Sequence, residues 1–126
     1  MKRILIVDGD HTYRRMLGET LESRGHEVHI IGTAREAFQL APASFDVAVV
    51  EYRLSDATGL SLLWKWGSLA TITPIILVSN HLRPIVVDEA RRSGVFEFLE
   101  KHEDAYSVLE AVDRAGNVET TLLESF

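Results

Sequence analysis

The sequence predicts an α/β domain: a doubly wound sheet of five parallel strands covered by helices on both faces. Three observations carry the prediction. Short aliphatic runs (RILIV, DVAVV, IILV) recur along the chain, stretches of helical period separate them, and each run ends in a polar or acidic residue. Continuous rather than alternating aliphatic runs belong to strands buried on both faces, and strands that alternate with helices close into right-handed parallel crossovers.

Arg3 to Val7 is the first strand, ended by an acidic, glycine-containing turn. From Thr12 to Arg24 a helical stripe runs through Tyr13, Met16, Leu17, Thr20 and Leu21, and Gly25 follows as a C-terminal stop. Glu27 to Ile31 forms the second strand. Thr33 then N-caps a short helix carrying Ala34, Ala37, Phe38 and Leu40, halted near Pro42. Asp46 to Val50 is the third strand, with Glu51 at its end. Gly59 opens a helix containing Leu60, Leu62, Leu63, Trp64 and Trp66, and the two tryptophans, two positions apart, cannot share one face.

Pro74 precedes the strand Ile75 to Val78, which ends in Ser79. Pro84 suits the first turn of a fourth helix reaching about Ser93, where Gly94 stops it. Phe96 to Leu99 is the last strand, followed by Glu100 and Lys101. The final helix runs from about Glu103 to Ala115, with Tyr106, Leu109 and Val112 facing inward and Gly116 as its stop. Residues 1–116 thus form one domain, and Asn117 to Phe126 a tail or the start of a linker.

At 126 residues, 46% apolar and 25% charged, the chain suits a single soluble domain with no room for a second. A net charge of −6 disfavours a general electrostatic grip on nucleic acid or an anionic membrane. With no cysteine there is no disulfide framework, thiolate nucleophile or Cys-based zinc site. The MKRILIVDGD start turns acidic too early for a signal peptide, and no apolar run approaches a membrane span, so the expected location is the cytoplasm.

In open α/β sheets the functional crevice lies beyond the C-terminal ends of the strands. Asp8, Glu51, Ser79 and Lys101 all fall at such ends. Taken singly, each has an ordinary reading: Asp8 as a turn cap, Glu51 as an ion-pair partner of Lys101, Ser79 as a polar strand terminator, Phe98 as a core aromatic. The five histidines show no metal-ligand spacing, although His11, His81 and His102 fall near the strand ends.

The segments RILIVDGD, DVAVVEYRLSDATGL, PIILVSN and FEFLEK, in this order and spacing, resemble response-regulator receiver domains over Lys2 to about Ala115. The resemblance implies the flavodoxin-like strand order 2-1-3-4-5. It also implies a phosphoacceptor pocket, with Asp8 as the first of two metal-holding acids, Gly9 in place of the second, and Glu51 at the phosphoacceptor. Ser79 matches the switch hydroxyl, Lys101 the charge-neutralising lysine and Phe98 the switch aromatic.

Two departures fall on the chemistry. Glu51 is longer than aspartate by one C–C bond, about 1.5 Å, which spoils near-attack geometry. Gly9 supplies no carboxylate, so a weak magnesium site from Asp8 and Asp10 is the most these acids allow, and no cofactor is expected. A third departure is His102, where the family commonly has proline. A non-proline cis bond costs about 2.5–4 kcal/mol, so the Lys101–His102 bond is expected to be trans.

The expectation is therefore an atypical, degenerate receiver without enzymatic activity, a bacterial two-component signalling module. Glu51 reaches toward Lys101 and Ser79 as a built-in, partial phospho-mimic. The resemblance places the output on the face of helix four, strand five and helix five, toward a protein partner, a C-terminal effector of the transcription-regulating kind, or a second copy in a homodimer. The main rival is a haloacid-dehalogenase-type phosphatase reading Asp8-Gly9-Asp10-His11-Thr12 as its DxDxT opening, with Asp8 as nucleophile and Asp10 as general acid. That reading lacks the later strand of paired acids and leaves EYRLSDATGL unexplained. A receiver still phosphorylatable on Glu51 is the other alternative. A flavodoxin-like cofactor binder fits less well, since the first turn has no phosphate-cradling loop.

Overall fold

The computed structural model describes residues 1–40, 44–67, 73–81, 83–102 and 105–116. Five strands, β1 (Arg3–Val7), β2 (Glu27–Ile31), β3 (Val47–Glu51), β4 (Ile75–Ser79) and β5 (Glu97–Glu100), alternate with five helices. These are α1 (His11–Ser23), α2 (Ala34–Phe38), α3 (Leu60–Gly67), α4 (Pro84–Ser93) and α5 (Tyr106–Gly116). All neighbouring strands pair in parallel, in the order β2-β1-β3-β4-β5. The chain therefore switches direction across the sheet at β1 and β3, and a crevice opens beyond their C-terminal ends.

Successive strand residues face opposite sides, so the aliphatic runs feed two cores at once. Ile4, Ile6, Val47, Val49, Ile76 and Val78 pack against Leu17 and Leu21 of α1 and Val108, Ala111, Val112 and Ala115 of α5. Leu5, Val7, Ala48, Val50 and Leu77 pack on the other side against Ala34 and Ala37 of α2, Leu60, Leu62 and Trp66 of α3 and Ala90 of α4. This double burial is why β1, β3 and β4 read as aliphatic runs, while the edge strands β2 and β5 are more exposed and more polar.

Several boundaries shift. Asp10 caps α1, accepting the Tyr13 amide, so the helix opens one residue early. Asp46 stays outside β3, where its carboxylate accepts the Arg3 amide at 2.7 Å. Helix α2 ends at Phe38, short of Leu40. Gly94 adopts φ 87° and stops α4 as expected, and Gly116 is the last described residue of α5. Pro42, the start near Glu103 and the tail from Asn117 lie outside the described residues.

Tyr106 does not face inward: it is 66% exposed, because as the first helical residue it precedes the docked stripe of Val108, Leu109, Ala111, Val112 and Ala115. The tryptophans divide as their spacing requires, Trp66 buried and Trp64 58% exposed. No described helix is long and apolar enough to cross a membrane.

Candidate functional site

Hydrogen bonds that continue past the strand ends hold the crevice residues in place. The Asp8 amide donates to Ile31 O at 3.0 Å, the Tyr52 amide to Val78 O at 2.8 Å and the Lys101 amide to Ser79 O at 2.8 Å. Asp8, Glu51 and Lys101 are thereby fixed by backbone before their side chains interact. Behind Glu51 the chain turns tightly, with the Gly59 amide donating to Tyr52 O at 2.7 Å. A Cβ at position 59 would sit 2.4 Å from the Glu51 carbonyl oxygen and 2.8 Å from Leu77 Cδ1, so only glycine permits this approach.

At the centre lies the Lys101 ammonium. Its Nζ donates to Asp8 Oδ1 at 3.0 Å and Glu51 Oε1 at 2.8 Å, and lies 2.8 Å from Asp8 Oδ2. All three side chains are nearly buried, with side-chain exposures of 5% for Lys101, 1% for Asp8 and 12% for Glu51. The ammonium also sits 4.5 Å from the centroid of the Tyr13 ring, a cation–π contact that adds a third electron-rich neighbour.

The remaining carboxylate oxygens differ. Glu51 Oε2 accepts the Gly9 amide at 3.1 Å, and Asp8 Oδ1 also accepts the Asp10 amide at 2.9 Å. Asp8 Oδ2 is buried and has the nearby ammonium charge but no aligned hydrogen bond.

Burial pushes the Asp8 carboxyl up to about 6; the charge of Glu51 adds to this, while Lys101 and the Asp10 amide oppose it. For Lys101, burial favours the neutral amine, but the hydrogen bonds and charges of Asp8 and Glu51 together outweigh it and raise its pKa. The pocket is thus an ammonium held between two acids.

Asp8, Glu51 and Lys101 come together as the sequence reading expects. Ser79 does not join them: its hydroxyl accepts the His81 amide at 3.3 Å and lies 3.2 Å from His81 O. A serine at a strand end finds partners in its own turn, and Glu51 turns instead to the Gly9 backbone amide. Phe98 is half-buried and tilts against Tyr52, with ring centroids 6.5 Å apart. The Lys101–His102 bond is trans. His11 meets Arg14, whose Nη2 lies 2.8 Å from His11 Nδ1.

The donor set does not fit a magnesium ion. Asp8 and Glu51 are committed to Lys101, and Asp10 turns its carboxylate away to cap α1. Gly9 offers no oxygen in its side chain, and no cluster of three or more metal-ligating side chains occurs among the described residues. A hard cation that takes six oxygens would have to displace the ammonium first.

Three contributors were missed in the sequence. Tyr13 reads as a core residue, and nothing in its spacing places a lysine over its ring. Arg14 donates to Asp8 O at 3.2 Å, bracing the strand end. Asp56 caps α2 from another loop, accepting the Ala34 amide at 3.0 Å and the Arg35 amide at 2.9 Å. The only local signal for Asp56 is its turn-forming residue type.

A family model described as "Response regulator receiver domain" matches residues 4–113. The regulatory protein AtoC of Escherichia coli strain K12 is 33% identical over 116 residues, 91% of this chain and 25% of that protein. The DNA-binding transcriptional regulator NtrC of Azospirillum brasilense is 30% identical over 118 residues, 93% of this chain and 24% of that protein. The chain thus spans about a quarter of the length of these relatives. Among solved structures, a CheY-like response regulator receiver domain protein from Methanospirillum hungatei JF-1 superposes with a TM-score of 0.87 at 26% identity, covering 96% of this chain and 98% of that one.

Proposed function

The chain belongs to the response regulator receiver domain family, and from that premise we propose that it signals through protein contacts with a pocket set by a permanent ion cluster rather than by phosphorylation. The observation that carries this reading is the double engagement of Glu51, one oxygen on Lys101 at 2.8 Å and the other on the Gly9 amide at 3.1 Å. Each oxygen keeps a second lone pair, but bonds at both ends fix the direction of the carboxylate, and in-line attack needs a lone pair aimed at phosphorus.

Glu51 acts on this reading as a partial phospho-mimic, its charge resting on Lys101 but not reaching Ser79. The output face is α4, β5 and α5. Exposed Ile85 on α4 and Tyr106 on α5, 73% and 66% accessible, support an apolar contact there. Its occupant is a C-terminal effector domain of the transcriptional kind, a separate cytoplasmic protein or a second copy of the chain. No catalytic role is assigned to Asp8 or Asp10, since the Asp10 carboxylate is spent on the Tyr13 amide and Asp8 on Lys101.

Incubation with a small acyl phosphate and magnesium, read by intact mass, tests the proposal. The expected spectrum contains only the unmodified chain; a stoichiometric phosphoryl adduct overturns the reading. A phosphomonoester assay under the same conditions is expected to show no turnover.

A further inference from the structure

Resting on the reading above, we infer that Gly9 and Glu51 form one functional unit: the Gly9 amide seats Glu51 on Lys101 while the missing side chain leaves position 9 without an acid, and together these keep divalent cations out of the pocket. Glu51 alone does not do this.

The geometry is specific. The Gly9 amide donates to Glu51 Oε2 at 3.1 Å, and that bond turns Oε1 onto the ammonium 2.8 Å away. A Cβ at position 9 meets only ordinary contacts, 3.7 Å from Gly32 O and 3.9 Å from Glu51 Oε2. Steric room for a Cβ therefore exists, though a longer side chain points on toward Glu51. What stands in its path is the carboxylate of Glu51, so an acid at position 9 places a second negative charge beside the first.

The charges explain why both positions matter. Asp8 and Glu51 against Lys101 leave the cluster at one net negative charge, with Asp8 Oδ2 short of an aligned hydrogen bond. Shortening Glu51 to aspartate removes its reach to the Gly9 amide but still leaves two acids shared with a lysine. Adding an acid at position 9 alone sets two carboxylates in one space. Only both changes supply three convergent acids with room between them, the kind of donor set a hard divalent cation requires.

The test is a double-mutant cycle on magnesium affinity, measured by calorimetry on the unsubstituted chain, G9D, E51D and G9D/E51D, with circular dichroism confirming the fold of each. The expected result is strong non-additivity. Each single change shifts affinity by less than about threefold, and the pair exceeds the product of the singles by at least about tenfold. If G9D/E51D does not fold, G9N/E51D adds an uncharged oxygen in its place and is expected to bind about tenfold tighter than E51D.

E51D binding as tightly as the double variant, an additive cycle, or no gain from G9N/E51D each overturns the inference. None of these touches the earlier reading, which falls only if the unsubstituted chain takes up phosphate.

Discussion

Lys101 reaches across the crevice to Glu51, Nζ to Oε1 at 2.8 Å, and in doing so joins the end of β5 to the end of β3 through a contact that is almost free of water. Asp8 at the end of β1 completes the bridge. Cutting out the ammonium leaves two acids near one another with nothing between them. Lys101→Met is therefore expected to destabilise the fold by about 3–5 kcal/mol at neutral pH. Urea denaturation measures it, and a loss below about 1 kcal/mol is the result that contradicts the buried cluster.

Asp8 gives the pocket a pH dependence of defined sign. Burial, with the charge of Glu51, pushes its carboxyl from 3.8 up to about 6 against the pull of Lys101 and the Asp10 amide. The folded state then binds the proton more tightly than the unfolded chain. The stability this group contributes is present below about pH 3.8 and is lost as pH rises through about 6. Asp8→Asn is expected to flatten the urea midpoint across that window relative to the parent chain. In the same vein, Glu51→Gln removes one cause of the shift, so the Asp8 carboxyl followed by NMR should titrate at lower pH.

Asp56 runs the other way. The Arg35 and Ala34 amides hold its carboxyl below the usual carboxylate range, so the stability it gives is present above about pH 3.8 and lost as pH falls through its folded value. Asp56→Ala is expected to cost about 1 kcal/mol at neutral pH, as for other lost helix caps, and much less in acid. Equal losses at both pH values would show that the charge is not what caps the helix.

Gly59 holds the turn behind Glu51 by having no side chain. Gly59→Ala drives a methyl into the Glu51 carbonyl and Leu77, and is expected to destabilise by about 1–3 kcal/mol. Thermal denaturation reads the loss; unchanged stability would mean that the β3 end can give way.

The fold was legible because burial on both faces leaves a mark that needs no context: RILIV and IILV have to be strands once helices must cover each side. The crevice was legible for a similar reason, since Asp8, Glu51 and Lys101 are the charged groups that end those runs. Other features depend on distances the linear pattern does not contain. Whether Ser79 turns to Glu51 or to His81 is decided by competition between a remote carboxylate and an amide two residues away, and the near one won. The Asp56 cap joins residues more than twenty positions apart, and the Tyr13 ring meets Lys101 only after α1 docks on the sheet face it shares with α5. Tyr106 was placed inward by its period alone; its position at the very start of α5 put it outside.

The Lys101 bridge also bears on how long the folded state lasts. Its two bonds close sequence separations of 93 residues to Asp8 and 50 to Glu51. Contacts of such span need β1, β3 and β5 already placed in the sheet, with β4 between the last two, so where assembly of the sheet limits the rate they form after it. A contact absent from the transition state acts on the return journey alone, slowing escape without hastening arrival. The cluster that sets the charge of the pocket is therefore also a latch on the lifetime of the whole domain.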